Sequence, residues 1–143
     1  MIYADSSFLV SCCLADANTP RAKARLSTLK VPLPFTAFHE LEVRNALQLC
    51  VFRGKFDASV ATAAWTNLQQ DFQAGRLIRV DVNWPVAFRF AASLGRRHTS
   101  AVGTRSLDVL HVAAAKVLRV SELLTFDGRQ AALAARVGLV VGP

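Results

Sequence analysis

The feature that most constrains this chain is an end-to-end alternation of short apolar runs with longer amphipathic ones. Residues 1–4, 33–35, 77–82, 122–125 and the segment after Gly138 read as strands, and helical patterns fill the intervals between them. Strands separated by helices pair in parallel, because each crossover helix carries the chain back to the starting end of the sheet. The expected architecture is α/β, with a parallel sheet and helices on both of its faces. A length of 143 residues fits one domain spanning 1–143, able to bury well over half of its unfolded surface without a disulfide or structural metal.

Local signals place the helices. Ser6 or Ser7 can open the first, Asn18 and Pro20 restart a second, basic one, and residues 36–53 read as a long third. Asp57 caps a helix running to Gly75, and Asn83 caps one that begins Trp84-Pro85. A polar stretch, 95–105, follows; Ser106 then opens an Ala-rich helix to about Leu118, and Asp127 caps a last short helix, with Gln130 placed to complete a capping box.

Composition narrows the function classes. With 52% hydrophobic and 19% charged residues the chain is neither disordered nor fibrous. The apolar stretch 6–15 is too short to span a bilayer, and no Lys or Arg precedes Arg21, so neither a signal peptide nor a membrane helix is expected. Cys12, Cys13 and Cys50 are odd in number and lack C-x-x-C spacing, and His39, His98 and His111 are not grouped as ligands. These features predict reduced thiols in a cytoplasmic protein with no zinc site. The net charge of +7 comes from Lys and Arg scattered along the chain. Any basic surface must be assembled by folding, and its partners would be nucleic acid or an acidic protein.

Four carboxylates stand where ligands collect in parallel α/β folds, beyond the C-terminal ends of strands and on inward helix faces. Asp5 and Asp127 each follow a strand. Glu42 shares a helix face with Phe38, Asn45, Ala46 and Leu49, which reads as the core-facing stripe, whereas Glu40 lies opposite, one turn before Arg44. Asp108 occupies the first turn of an apolar helix, on the face of His111, Val112 and Ala115. Each has a structural reading as well: Asp5 and Asp127 as helix caps, Asp108 as a partner of the helix dipole, and Glu42 as the partner of Arg53 or of a backbone donor at the helix edge. Brought together, four such acids would repel one another without cations, and hard oxygen ligands suit Mg²⁺ or Mn²⁺.

The segments M-I-Y-A-D-S-S at the start, E-V-R-N-A-L from Glu42, S-L-D-V-L-H-V-A-A-A from Ser106 and L-T-F-D-G-R-Q from Leu124 together resemble the PIN-domain ribonuclease toxins of the VapC type. The resemblance covers essentially the whole chain, in order. It implies a PIN-like three-layer α/β fold with a parallel sheet of about five strands flanked by helices. It further implies a metal-dependent endoribonuclease from a type II toxin-antitoxin pair, with Asp5, Glu42, Asp108 and Asp127 as catalytic metal ligands and Ser6 and Thr125 in support. It also implies Mg²⁺, or Mn²⁺, as cofactor, RNA as substrate with 3′-hydroxyl and 5′-phosphate products, a cognate antitoxin, and a homodimer. Glu40 remains the alternative for the second acid. Arg96, Arg97 and Arg105, with His98, precede Asp108 and are candidates for RNA phosphate contacts at the pocket rim. Two other function classes stay open: a PIN-like module that binds RNA or protein without cleaving, and an aspartyl-phosphate phosphotransferase. The latter ordinarily carries a second Asp two residues after the first, where this chain has Ser7.

Overall fold

Five strands of three residues each alternate with seven helices in the computed structural model, which describes every residue from Met1 to Pro143. In chain order the elements are β1 (Ile2–Ala4), α1 (Ser6–Cys13), α2 (Thr19–Thr28), β2 (Leu33–Phe35), α3 (Ala37–Phe52), α4 (Ala58–Gln73), β3 (Leu77–Arg79), α5 (Trp84–Val102), α6 (Ser106–Val117), β4 (Glu122–Leu124), α7 (Gly128–Arg136) and β5 (Val140–Gly142). They form two compact units, one of residues 1–5 with 81–143 and one of residues 6–80.

The first unit holds a parallel sheet in the order β1-β4-β5, with Ala4 level with Leu124 and Leu124 level with Gly142. Its centre is α6, whose residues 108–115 are all buried. That explains why its sequence is apolar on nearly every side. Tyr3, Leu94, Leu123, Leu124 and Leu133 complete this core, and the Tyr3 hydroxyl lies 2.9 Å from Nδ1 of the buried His111. His111 is thus a hydrogen-bonded core residue.

In the second unit β2 and β3 form a separate parallel pair, with Pro34 opposite Ile78. The expected sheet of about five strands is therefore divided into three and two. Pro34 supplies one reason: it has no N–H for a second ladder, which confines β2 to an edge. Phe8, Leu33, Phe35, Val43, Leu47 and Leu68 are buried here, and Phe35 meets Phe72 edge to face with ring centroids 5.1 Å apart. All three cysteines are free and half-buried. Burial pushes the Cys12 thiol up to about 12 and the Cys13 thiol up to about 11, so both remain protonated and unreactive near neutrality.

Asn83 and Asp127 cap their helices as the sequence signals predict, whereas Asp57 stands at the start of α4 with no side-chain cap hydrogen bond. Asn83 Oδ1 accepts from the Val86 N–H, and Thr36 Oγ1 accepts from the His39 N–H while His39 Nδ1 accepts from the Thr36 N–H. At α2 the turn is held instead by Asp16, whose Oδ1 accepts from the backbones of Asn18 and Thr19. The polar stretch 95–105 is largely not a loop. Helix α5 continues through it to Val102 and stops at Gly103, which has φ +73°. A single Gly inside a helix costs only about 1 kcal/mol relative to Ala, and the polar residues there form the outer face of a helix that buries Ala87 and Leu94.

Candidate functional site: a linked set of aspartates

Parallel pairing of β1 with β4 decides where the first acids go. Because Ala4 is level with Leu124, the next residue of each strand emerges beside the other, and the Asp5 N–H donates to the Leu124 carbonyl at 2.9 Å. Asp5 is 3% exposed. A buried carboxylate persists only with strong donors. Here Thr125 Oγ1 donates to Asp5 Oδ2 at 2.6 Å and Gln130 Nε2 donates to the same oxygen at 3.0 Å.

The same two residues reach Asp127. Its N–H donates to Thr125 Oγ1 at 3.0 Å, and its Oδ1 accepts from the Arg129 and Gln130 N–H groups at 2.9 Å each, capping α7. Its other oxygen faces cations, Oδ2 lying 3.4 Å from Nη2 of Arg105 and 3.9 Å from Nη2 of Arg129.

Asp108 follows a similar division of labour. Oδ2 accepts from the Arg105 backbone N–H at 2.9 Å and from its Nε at 3.1 Å, while Oδ1 accepts from Arg105 Nη2 at 3.2 Å. One guanidinium nitrogen thus lies between a carboxylate oxygen of Asp108 and one of Asp127. Both acids also stand at helix N-termini, where exposed N–H groups and the macrodipole favour negative charge. The three aspartates form one network: Asp5 linked to Asp127 through Thr125 and Gln130, and Asp127 linked to Asp108 through Arg105.

Glu42 lies in the second unit, where its Oε2 accepts from the Ser6 hydroxyl at 2.6 Å. Ser6 is the residue after Asp5. The inward stripe of α3 is Phe38, His39, Val43 and Leu47. Glu42 is half-buried at its edge, and Asn45 and Leu49, assigned to the same inward face, are exposed. Glu40 behaves as an exposed ion-pair residue, 2.9 Å from Arg79 and 3.1 Å from Arg44. The Arg79 guanidinium, ahead of Arg44, holds its carboxyl below the usual carboxylate range.

Of the proposed phosphate contacts, only Arg105 meets the acids. Arg96 and Arg97 are exposed on α5, where Arg97 Nε donates to the Ser93 carbonyl, and half-buried His98 lies on the same helix. Gln130 is the residue that sequence reasoning misplaced. Its side chain turns to Asp5 rather than back to the Asp127 backbone, and the available signal was a lone polar residue on the buried face with Leu133 and Ala134.

No three His, Cys, Asp or Glu side chains converge closely enough to form a ready-made metal site, and no buried side-chain nitrogen or oxygen lacks a hydrogen-bond partner. The fit to a divalent ion rests on donor chemistry: carboxylate oxygens only, two of them already turned to a shared cation. Removing the Thr125 hydroxyl while keeping its shape, Thr125→Val, withdraws a donor from Asp5 and an acceptor from Asp127. It is expected to destabilise the protein by about 1–3 kcal/mol, measured as a lower urea midpoint. An unchanged midpoint would show that the hydroxyl does not hold these acids.

The backbone matches solved structures over its whole length. FitAcB from Neisseria gonorrhoeae superposes with a TM-score of 0.68 at 19% identity, covering 100% of this chain and 97% of that one. The Mycobacterium tuberculosis toxin VapC20, described as cleaving the sarcin-ricin loop, gives 0.67 at 18% identity with complete coverage of both chains. The chain has the VapC-type PIN-toxin fold. PAE2754 from Pyrobaculum aerophilum also matches, with a TM-score of 0.56 and 17% identity over 98% of this chain and 82% of that one. No protein-family model matches the sequence, and no curated protein matches it significantly; the PIN-toxin likeness lies in the backbone. No helix of this PIN-type fold is long and apolar enough to cross a membrane.

Proposed function

We propose that the chain is a metal-dependent endoribonuclease, the toxin of a type II toxin-antitoxin pair, working as one PIN domain in the cytoplasm. Asp5, Glu42, Asp108 and Asp127 are its acids, with Mg²⁺ as cofactor and Mn²⁺ as a substitute. The observation that carries the reading is the hydrogen-bonded set Asp5, Asp127 and Asp108 in a chain of PIN-toxin fold. The full-length match to a toxin described as cleaving the sarcin-ricin loop supports RNA as the substrate class. A cognate antitoxin and a second copy of the chain are the partners proposed with it.

Mg²⁺ or Mn²⁺, which these carboxylates would hold, would supply Lewis-acid polarisation of a phosphodiester and a more acidic water near neutral pH. The chain's own groups do the rest. Thr125 and Gln130 fix the orientation of Asp5, so that its carboxylate is preorganised before substrate arrives. The α7 cap does the same for Asp127, and Ser6 for Glu42. Arg105 and Arg129 place positive charge beside Asp127, suited to balancing the phosphate. Asp5 or Asp127 accepts the proton of the attacking water. No covalent enzyme intermediate is required.

Glu42→Gln against Glu40→Gln tests which α3 acid takes part. With structured RNA and Mn²⁺, Glu42→Gln is expected to lose on the order of 10²-fold in cleavage rate, and Glu40→Gln to stay within about threefold, as for an exposed ion pair. The reverse ranking would transfer the role to Glu40. RNA bound but left intact by the wild type would favour a non-catalytic binding module.

A further inference from the structure

We propose that Arg105 is a built-in counter-ion, which fills the cation position between Asp108 and Asp127 in the metal-free protein and leaves it to contact phosphate once a divalent ion binds. The proposal rests on the nuclease reading above and concerns what balances the acids before the metal arrives.

The geometry of a single nitrogen carries it. Nη2 of Arg105 is 3.2 Å from Asp108 Oδ1 and 3.4 Å from Asp127 Oδ2. One oxygen of each acid accepts from backbone N–H groups, Asp127 Oδ1 from Arg129 and Gln130 and Asp108 Oδ2 from Arg105, whose Nε also meets Asp108 Oδ2 at 3.1 Å. The two oxygens turned toward Nη2 are the ones a cation can change without uncapping a helix. They are the hard donors that a divalent ion takes.

The guanidinium is also built to leave. Its side chain is 66% exposed while that of Asp108 is 9% exposed, so the cation is wet and the carboxylate is not. Its contact with Asp127 is solvent-exposed and long, at 3.4 Å, so it is weak, and a guanidinium released at the mouth of the site retains its planar fork for bidentate contact with a phosphate. Its backbone N–H can stay on Asp108 Oδ2 throughout, leaving the start of α6 intact.

Arg105 therefore has opposite effects on the two ligands. It competes with metal and assists RNA. In Arg105→Gln, Mn²⁺ alone, titrated by electron paramagnetic resonance against metal-free protein, is expected to bind about fivefold more tightly than to wild type, the size of one lost exposed ion pair. The KM for a structured RNA at saturating Mn²⁺ is expected to rise by at least about fivefold, as one charge-assisted phosphate contact disappears. Arg136→Gln, which removes one charge from the exposed end of α7, should leave Mn²⁺ affinity unchanged.

Equal or weaker Mn²⁺ binding by Arg105→Gln, or an equal gain in Arg136→Gln, would overturn the proposal. If wild type cleaved RNA with metal in the same preparations, the nuclease reading would stand without it. Failure of both proteins to bind Mn²⁺ or cleave RNA would remove the two together. Arg105→Lys gives a second reading in a variant that retains charge and the helix cap: it should bind Mn²⁺ as wild type does, or within about twofold, because a lysine ammonium can still serve as a point counter-ion.

Discussion

Asp5→Asn is expected to lower metal-dependent RNA cleavage by on the order of 10²–10³-fold while leaving the protein folded. The substitution preserves size and one oxygen. That oxygen can go on accepting from Thr125 and Gln130, the two donors that now meet Asp5 Oδ2, so the β1-to-α1 connection need not rearrange. What disappears is the negative charge at the C-terminal end of β1, which a divalent ion needs and a neutral amide supplies poorly. Rates with structured RNA, together with the thermal midpoint, check it. Loss of cleavage at a midpoint within a few degrees of wild type is the expected pair of results; retained cleavage would remove Asp5 from the metal-binding set.

The largest effect on stability is expected at Leu124→Ala. Leu124 is fully buried in the middle strand of the β1-β4-β5 sheet, and truncating such a leucine deletes apolar contacts and leaves a cavity, costing about 2–5 kcal/mol. That is a large share of the roughly 5–15 kcal/mol by which domains are stable. Urea denaturation should show a lower midpoint with little change in slope. Leu124 also accepts the Asp5 N–H through its backbone carbonyl, which alanine keeps, so cleavage by the folded fraction should persist. A loss below about 1 kcal/mol would mean that the surrounding core closes over the deleted side chain.

These expectations draw on features that differ in how legible they were. Asp5 and Asp127 could be read as site residues because strand ends are marked locally, by apolar runs that stop at an acid. Asn83 and Asp127 as caps were equally local. The division of the sheet was not, since pairing partners lie far apart in sequence; Ile2 is level with Glu122. Only Pro34 hinted at it.

The face of α3 was misread for a different reason. Phe38, Leu41, Val43, Ala46, Leu47, Leu49 and Phe52 encircle the helix, so the 3.6-residue period admits more than one apolar stripe. The fold buries Val43 and Leu47 and leaves Phe52 at 88% exposure. Gln130 was hidden by its own local signal, since a glutamine three residues after a capping aspartate reads as half of a capping box. Arg105 was read as a phosphate contact at the rim, and its bonds to Asp108 and Asp127 were not foreseen. Their roles come from β4 and β1 lying side by side and from the approach of α6 and α7, which no local pattern encodes.

The most direct test of the account is the wild-type protein with labelled structured RNA, transfer RNA and a sarcin-ricin loop fragment among them, in the presence of Mg²⁺, Mn²⁺ or EDTA. The account predicts discrete cleavage with either ion, none in EDTA, and 5′-phosphate products that restore on adding metal back. Cleavage that proceeds unchanged in EDTA, or products ending in cyclic phosphate, would contradict it.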